Sequence, residues 1–208
     1  MVIWLVGMSG VGKSTIADKI LQHISGEGNV NIVPLDGDIV RFIDGNNQKT
    51  TSYSIEARFE NAKRIQEISL ALDKSGENVI CSILCIFPDV LKENKEIFSD
   101  YYEVFLDASM EELERRDTKG LYKMAKNGQI SNLVGYDIDF LVPEKPNLSL
   151  RTDDEKTANE LARIIFEKVR NNLIKNDTCS DLANRLSETS DTVTYAKIIS
   201  EKIKPYIK

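Results

Sequence analysis

The stretch VIWLVGMSGVGKST, from Val2 to Thr15, has the sequence pattern of a strand, a loop and the start of a helix. Its first five residues are continuously apolar, as in a strand that is buried on both faces. The next eight satisfy the pattern GxxxxGK[ST], and apolar residues recur at helical spacing beyond Lys13. A loop of this kind surrounds phosphate oxygens with backbone N–H groups, and the following helix adds the partial positive charge of its N-terminus. The stretch therefore predicts a site for the phosphates of a nucleotide.

The polar residues of this loop have predicted roles. Lys13 is expected to reach the β- and γ-phosphates of ATP, and the Ser14 hydroxyl to bind Mg²⁺. The alternative is a glycine-rich turn without a ligand, but strand, motif and helix are in register here, as the motif requires. The loop residues predicted to bind ATP are Gly7, Ser9, Gly10, Gly12, Lys13, Ser14 and Thr15.

Further apolar runs of strand length alternate with longer helical patterns along the chain. This alternation predicts an α/β fold, a three-layer sandwich of the P-loop NTPase type with a mostly parallel sheet of about five strands. Ser54 is expected to cap a long helix, and Ser109–Glu112 and Thr152–Glu155 match the capping box that opens a helix. The predicted strands are Val2–Val6, Asn31–Asp36, Asn78–Leu84, Tyr102–Asp107 and Leu148–Leu150.

The end of the chain differs from the rest. KNDTCSD, from residue 175 onward, indicates a break, after which apolar positions become sparse. We therefore place the main domain at residues 1–174 and treat residues 175–208 as a C-terminal helical appendage. Within it, Tyr195, Ile198, Ile199 and Ile203 share the spacing of one amphipathic helix. Since the motifs all precede residue 175, we expect the appendage to be dispensable for chemistry.

Composition and charge indicate a soluble, cytoplasmic protein. The 208 residues carry a formal net charge of -6, which argues against nucleic-acid or anionic-membrane partners that bind through bulk charge. Three cysteines provide no disulfide framework. The N-terminus lacks the pattern of a signal peptide, and no apolar run approaches the roughly 20 residues that span a bilayer.

Two further segments carry charges suited to phosphoryl transfer. Asp36 and Asp38 follow the second predicted strand, at the edge of the sheet that also carries the phosphate loop. One such carboxylate can orient Mg²⁺ or accept a proton from an attacking hydroxyl, although Asp-Gly-Asp is also common turn chemistry. The basic segment from Arg115 to Ile130 is typical of a kinase lid or, alternatively, of a solvated helix face. A GTPase is disfavoured because the guanine-reading NKxD motif is lacking.

These segments together resemble adenylylsulfate (APS) kinases in order and spacing, from about residue 1 to 174. The motifs are GMSGVGKST, LDGDIVR, RFENAKR and EVFLDASMEELERRDTKGLYKMAKNGQI. Members of that family use ATP to phosphorylate the ribose 3′-hydroxyl of adenylyl sulfate (APS), giving 3′-phosphoadenylyl sulfate and ADP. The resemblance implies ATP and Mg²⁺ as cofactors, a small-molecule nucleotide acceptor and a homodimer.

The resemblance also implies residue roles. Asp38 would activate the 3′-hydroxyl, Asp36 would support the metal with Ser14, and Lys119 would stabilise the transferring phosphoryl group together with Lys13. Arg116 and Asp117 would lie beside the ATP base. The residues implied at the acceptor site are Asp36, Arg41, Tyr53, Arg58, Asn61, Phe87 and Leu133.

The departures from the family pattern lie on the acceptor side. Cys85 and Ile86 stand where the family has Ser-Pro, and Leu133 stands where a phenylalanine helps to sandwich the acceptor adenine. APS remains the expected acceptor. A pyrimidine nucleotide such as cytidine diphosphoramidate is the alternative, with selectivity determined around Cys85 and Ile86. A non-catalytic nucleotide sensor is the alternative of another class.

Overall fold

The computed structural model describes residues 1–26, 30–43, 54–175 and 192–206. Its centre is a five-stranded parallel sheet in the order β2-β3-β1-β4-β5, which confirms the predicted fold class. The strand that precedes the phosphate loop is thus the central one, and β2 and β5 are the edges. The strands are β1 (Val2–Val6), β2 (Ile32–Asp36), β3 (Asn78–Ile83), β4 (Tyr101–Asp107) and β5 (Leu148–Arg151).

Helices cover both faces of the sheet, so that two apolar clusters form the core. One cluster joins the sheet to α1 and α7, and the other joins it to α2, α3, α4 and α8. Burial on both faces explains why the central strands are continuously apolar. The helices are α1 (Lys13–Ser25), α2 (Gly37–Ile43), α3 (Ile55–Lys74), α4 (Pro88–Ile97), α5 (Met110–Arg116), α6 (Leu121–Lys126), α7 (Ala158–Val169) and α8 (Thr192–Ile203). None of the helices within the described ranges is long and apolar enough to cross a membrane.

The helix caps agree with the sequence at two positions and differ at a third. Ser54 and Ser109 accept hydrogen bonds from backbone N–H groups in the first turns of α3 and α5, as predicted. The second bond of the capping box predicted at Ser109 is not formed, because the N–H of Ser109 donates to Asp153 and the carboxylate of Glu112 accepts from arginine side chains. The capping box predicted at Thr152 is wrong, because α7 begins at Ala158 behind a box formed by Thr157 and Glu160. Thr152 instead extends the β4–β5 pairing, donating its N–H to the carbonyl of Asp107 at 2.8 Å.

The segment that follows α7 is hydrogen-bonded to the sheet. Asn78, the first residue of β3, donates from its side chain to the carbonyl of Ile174 and accepts from the N–H of the same residue, both at 2.9 Å.

Helix α8 confirms the amphipathic helix predicted for the tail, since Ile199 and Ile203 are fully buried in the second cluster. The division of the chain at residue 174 stays a prediction.

Candidate active site

A cleft of about 560 Å³ lies along the carboxyl ends of the strands. Parallel strands all end at this edge, so the loops that follow β1, β2, β3 and β5 contribute to one cavity. Most of the residues predicted from the sequence lie here. Those lining the cleft are Ser9, Gly10, Gly12, Lys13, Ser14, Thr15, Asp36, Asp38, Arg41, Arg58, Asn61, Arg116, Lys119 and Leu133.

The phosphate loop depends on glycine at defined positions. A Cβ at Gly7 would lie 2.4 Å from the carbonyl oxygen of Leu106, so only glycine permits this approach of the loop to β4. Gly12 caps α1 with a φ of 96°, in the left-handed region that side chains disfavour. Gly7 itself lies behind the cleft wall, whereas Gly12 lines it. The tight turn therefore leaves the N-terminus of α1 open toward the cavity.

Lys13 lies over this loop and donates to the carbonyl oxygens of Gly7 and Met8 at 2.9 and 2.8 Å. Burial lowers the pKa of its ammonium group to about 8, and the positive charge of Lys119 contributes to this shift. The carboxylates of Asp36 and Asp38 act in the opposite direction. A polyphosphate placed in the loop would favour the charged form of Lys13 and draw it away from the carbonyls.

Asp36 is fixed by two hydrogen bonds. Its carboxylate accepts from the Ser14 hydroxyl at 2.7 Å and from the backbone N–H of Asp38 at 2.8 Å. Oxygen ligands of this kind suit Mg²⁺, which binds in proteins through one or two carboxylates together with substrate phosphates and water. Within the described residues, no group of three or more His, Cys, Asp and Glu side chains is arranged to hold a metal. The Ser14–Asp36 pair thus fits a metal that is shared with bound phosphates.

Asp38 contacts two cations across the cleft. Arg41, one turn further along α2, and Lys119, between α5 and α6, both donate to its carboxylate. Burial alone would raise the pKa of Asp38, but the charges and hydrogen bonds of Lys119 and Arg41 outweigh burial and hold that pKa below its usual value. The contact between Lys119 and Asp38 joins the basic segment to α2, and so connects the two sides of the cleft.

The side of the cleft opposite the phosphate loop carries Arg58, Asn61 and Leu133. Arg58 donates to the backbone carbonyl of Asn132 at 2.8 Å, which connects α3 to the loop before β5. The side-chain amide of Asn61 lies 3.1 Å from the position that a Cβ on Gly37 would occupy, so α3 packs closely on the start of α2. Leu133 is almost fully buried and contributes an aliphatic wall to the cleft.

At the other end of the cleft, Arg116 is oriented by Glu112 and Thr152. Its guanidinium donates to the carboxylate of Glu112 at 2.8 Å and to the carbonyl of Thr152 at 2.6 Å. Asp117 lies outside the cleft, and its carboxylate accepts from the backbone N–H groups of Tyr122 and Lys123 at 3.2 and 3.0 Å. Asp117 therefore stabilises the start of α6.

Several residues discussed at the sequence level lie away from the cavity. Cys85 and Ile86 were expected around the acceptor group, but both side chains are buried. Burial raises the pKa of the Cys85 thiol to about 12, and its sulfur lies 3.8 Å from the carbonyl oxygen of Phe87. Phe87 forms an edge-to-face pair with Phe59 and does not line the cleft. Tyr53 lies outside the described residues.

The cleft also includes residues outside the sequence motifs: Ser82, Ile83, Leu84, Thr152, Lys156, Ala158 and Leu161. Ser82 to Leu84 end β3 and Thr152 follows β5, so the rule that ligands bind at the carboxyl ends of strands could have identified them. Lys156, Ala158 and Leu161 come from α7 and the loop before it, and they do not follow a strand directly, so this rule does not identify them. They close the cleft beside Arg116.

Comparisons with known proteins give a consistent result. A family model described as adenylylsulphate kinase matches residues 1–151, a range that ends before α7 and α8. An adenylyl-sulfate kinase of Picosynechococcus sp. is 34% identical over 163 residues, covering 78% of this chain and 90% of the relative. One from Saccharomyces cerevisiae is 40% identical over 169 residues, covering 79% of this chain and 81% of the relative. The solved structure of the Mycobacterium tuberculosis APS kinase CysC in complex with AMPPNP and APS has a TM-score of 0.72 and 28% identity, covering 81% of this chain and 96% of that one.

Proposed function

The chain belongs to the adenylylsulfate kinase family, and we propose that it transfers the γ-phosphoryl group of ATP to the ribose 3′-hydroxyl of adenylyl sulfate. The observation that carries this proposal is the meeting of the phosphate loop and Asp38 in one cleft, with Lys119 between them. A phosphoryl donor bound at the loop and a hydroxyl bound at Asp38 would then face each other.

The chain supplies an acid–base group and a set of cations for the transfer. Asp38 accepts the proton of the 3′-hydroxyl while that oxygen bonds to the γ-phosphorus and the bond to the β-phosphate oxygen breaks, releasing ADP. Lys13 and Lys119 stabilise the negative charge on the transferring group. Mg²⁺, when bound with the phosphates near Ser14 and Asp36, supplies further neutralisation of this charge.

The ion pairs of Asp38 imply a change when substrates bind. In the structure Asp38 is paired with Lys119 and Arg41, which hold its pKa below the usual value, so it is a weak base. Phosphates of ATP compete for Lys119, and the anionic group of the acceptor competes for Arg41. Loss of either pairing raises the pKa of Asp38. The carboxylate is thus a stronger base with one substrate bound and the strongest base when both are present.

The acceptor is held by the opposite side of the cleft in this proposal. Arg41 and Arg58 bind the anionic 5′ side of the nucleotide, and Asn61 adds a hydrogen bond near Gly37. Leu133 packs against the base as an aliphatic surface. The base therefore gains less stacking energy here than in a site that holds it between two aromatic side chains. The roles of Tyr53 and Phe87 in base binding stay predictions of the family resemblance.

The same aliphatic wall favours one second candidate, a pyrimidine nucleotide such as cytidine diphosphoramidate. Stacking on an aromatic side chain contributes roughly 1–3 kcal/mol per base. A site that uses Leu133 in place of such a ring discriminates less strongly in favour of adenine. The reaction on the ribose 3′-hydroxyl would be unchanged.

The test is a coupled ADP-release assay with ATP, Mg²⁺ and a panel of APS, CDP-type and GDP-type nucleotides. Lys13→Ala, purified in parallel, controls for contaminating kinases. We expect kcat/KM to be highest for APS. Turnover with a pyrimidine nucleotide alone would establish the second candidate. Tight ATP binding without turnover on any acceptor would contradict both and indicate a nucleotide sensor.

Three further properties belong to this proposal. The enzyme is expected to require Mg²⁺, so excess EDTA should abolish ADP release and added Mg²⁺ should restore it. Light scattering should report a homodimer, as the family resemblance implies. The absence of a disulfide framework suits the reducing cytoplasm, where fluorescence microscopy of a tagged chain should locate the protein.

A further inference from the structure

Helix α8, which lies beyond the residues that the family model matches, packs on the elements that carry the acceptor-side residues. It contacts α2 and β2, and the 3₁₀ turn that follows it contacts α3. Ile199 and Ile203 are fully buried and share an apolar cluster with Val33 and Leu35 of β2 and with Val40 of α2. The tail helix thus covers the edge strand of the sheet and forms part of the core.

Contacts at the two ends of α8 fix its direction. Lys202, in the last turn, forms an ion pair of 2.5 Å with Glu77, which lies just before β3 at the amino ends of the strands. Tyr195, in the first turn, is partly buried, and its pKa is raised by burial and also by the negative charges of Asp18 and Asp36. Helix α8 also contacts α2, which follows the carboxyl end of β2, so α8 runs antiparallel to this strand and begins toward the cleft end of the sheet.

Helix α2 is short and depends on tertiary packing, which α3 and α8 both supply. It has seven residues, and helices below roughly 12 residues are marginal in water without tertiary contacts. Asp38 and Arg41 of α2 line the cleft, whereas Val40 is buried in the cluster with α8. The position of the two cleft residues therefore depends on what holds the buried side of α2.

We propose that α8 is a positioning element of the acceptor half of the active site, holding α2 and thereby Asp38 and Arg41 in place from outside the cleft. This inference rests on the proposed function and reverses the sequence-based expectation that the tail is dispensable for chemistry. The phosphate loop lies between β1 and α1, and α7 packs on α1 on the opposite face of the sheet. A substitution that disturbs α8 should therefore lower kcat/KM for the acceptor more than it lowers the affinity for ATP.

The first test is Ile199→Ala, compared with Ile165→Ala in α7. Both isoleucines are fully buried, so both substitutions remove the same group from the core, but only Ile199 belongs to the cluster that contains α2. In Ile199→Ala we expect the amides of Gly37–Ile43 to exchange hydrogen about tenfold faster or more. In Ile165→Ala, exchange in this segment should stay within about threefold of the wild type. This measurement needs no acceptor, so it is independent of the proposed function.

The second test is kinetic and uses the acceptor that the ADP-release panel identifies. Ile199→Ala should lower kcat/KM for the acceptor about tenfold, while the Kd for an ATP analogue changes by less than about threefold. Ile165→Ala should leave the acceptor KM unchanged despite a similar loss of stability. Equal losses for ATP and acceptor in Ile199→Ala, or unchanged exchange in Gly37–Ile43, would overturn the proposal.

Tyr195→Phe tests whether the phenol hydroxyl contributes beyond packing. The ring that packs against the cluster is retained, so exchange in α2 should match the wild type if packing alone positions it. Lys197→Ala, an exposed change on the same helix, should also behave as the wild type. If Tyr195→Phe loosened α2 as much as Ile199→Ala, the hydroxyl and not the apolar face would position α2, and the proposal would fail in this form.

Discussion

Replacing Lys119 with alanine should separate a large catalytic loss from a small loss of stability. Lys119 reaches across the cleft to Asp38, and the two side chains are 57% and 54% exposed in this ion pair. Ion pairs with such exposure contribute about 0–1 kcal/mol to folding. For a chain of 208 residues, this corresponds to a fall in Tm of less than about 4 °C.

The expected loss in catalysis is much larger. A cation placed against the charge that develops in the transition state contributes about 3–4 kcal/mol, so kcat should fall roughly 10²- to 10³-fold. Removing Lys119 also removes the strongest influence that lowers the pKa of Asp38, so this pKa should rise. The acid limb of the pH–rate profile, which reports deprotonation of Asp38, should then move to higher pH.

The assay measures kcat by ADP release and Tm by calorimetry on the same preparations. Lys126→Ala is the matched control, because Lys126 belongs to the same basic segment and pairs with Glu114 at similar exposure, away from the cleft. Lys119→Arg keeps the charge and should retain more activity than the alanine variant. A kcat for Lys119→Ala within about fivefold of that for Lys126→Ala would refute the assigned role of Lys119.

Three other changes test separate parts of the site. Asp38→Asn should abolish turnover and leave the Kd for ATP within about twofold of the wild type, and near-normal kcat would exclude Asp38 as the base. The pKa of Lys13 is about 8, and ATP is expected to bind the charged form. The affinity for ATP should therefore be constant below pH 8 and fall by up to about tenfold per pH unit above it. A calorimetric titration that shows constant affinity for ATP up to pH 10 would contradict this. Gly135→Ala should lower the free energy of unfolding by about 1–3 kcal/mol, because Gly135 has a φ of 89° and the new Cβ would lie 2.7 Å from the Met8 sulfur. The Met8 side chain can move aside, so the main cost is the backbone conformation. An unchanged Tm would show that this conformation carries no strain.

The sequence predicts well that the loop after β1 and the carboxylates after β2 line one cleft, for a physical reason. Parallel strands end at one edge of the sheet, so a motif after β1 and a carboxylate pair after β2 must come close together. The hydrogen bond between Ser14 and Asp36 follows from this rule. The pairing of Lys119 with Asp38 does not, because it depends on the path of the segment between α5 and α6.

Other features could not be predicted from sequence patterns because they depend on tertiary packing. Thr152–Glu155 and Thr157–Glu160 both match a capping box, and only tertiary contacts assign Thr152 to the end of β5. Cys85 lies within a segment that aligns with an acceptor-binding motif, yet an apolar side chain after a core strand is stabilised by burial. Likewise, the spacing of Ile198, Ile199 and Ile203 predicts an apolar helix face but does not indicate which surface it covers.

Phosphorylation of a ribose 3′-hydroxyl by this chain can be read from the position of the new phosphate in the product. After incubation with ATP, Mg²⁺ and APS, a two-dimensional correlation between ³¹P and ¹H should connect the new phosphate to the proton on the ribose 3′ carbon, with ADP formed in equal amount. A phosphate connected to the proton on the 2′ carbon, or inorganic phosphate released without any phosphorylated nucleotide, would contradict the account.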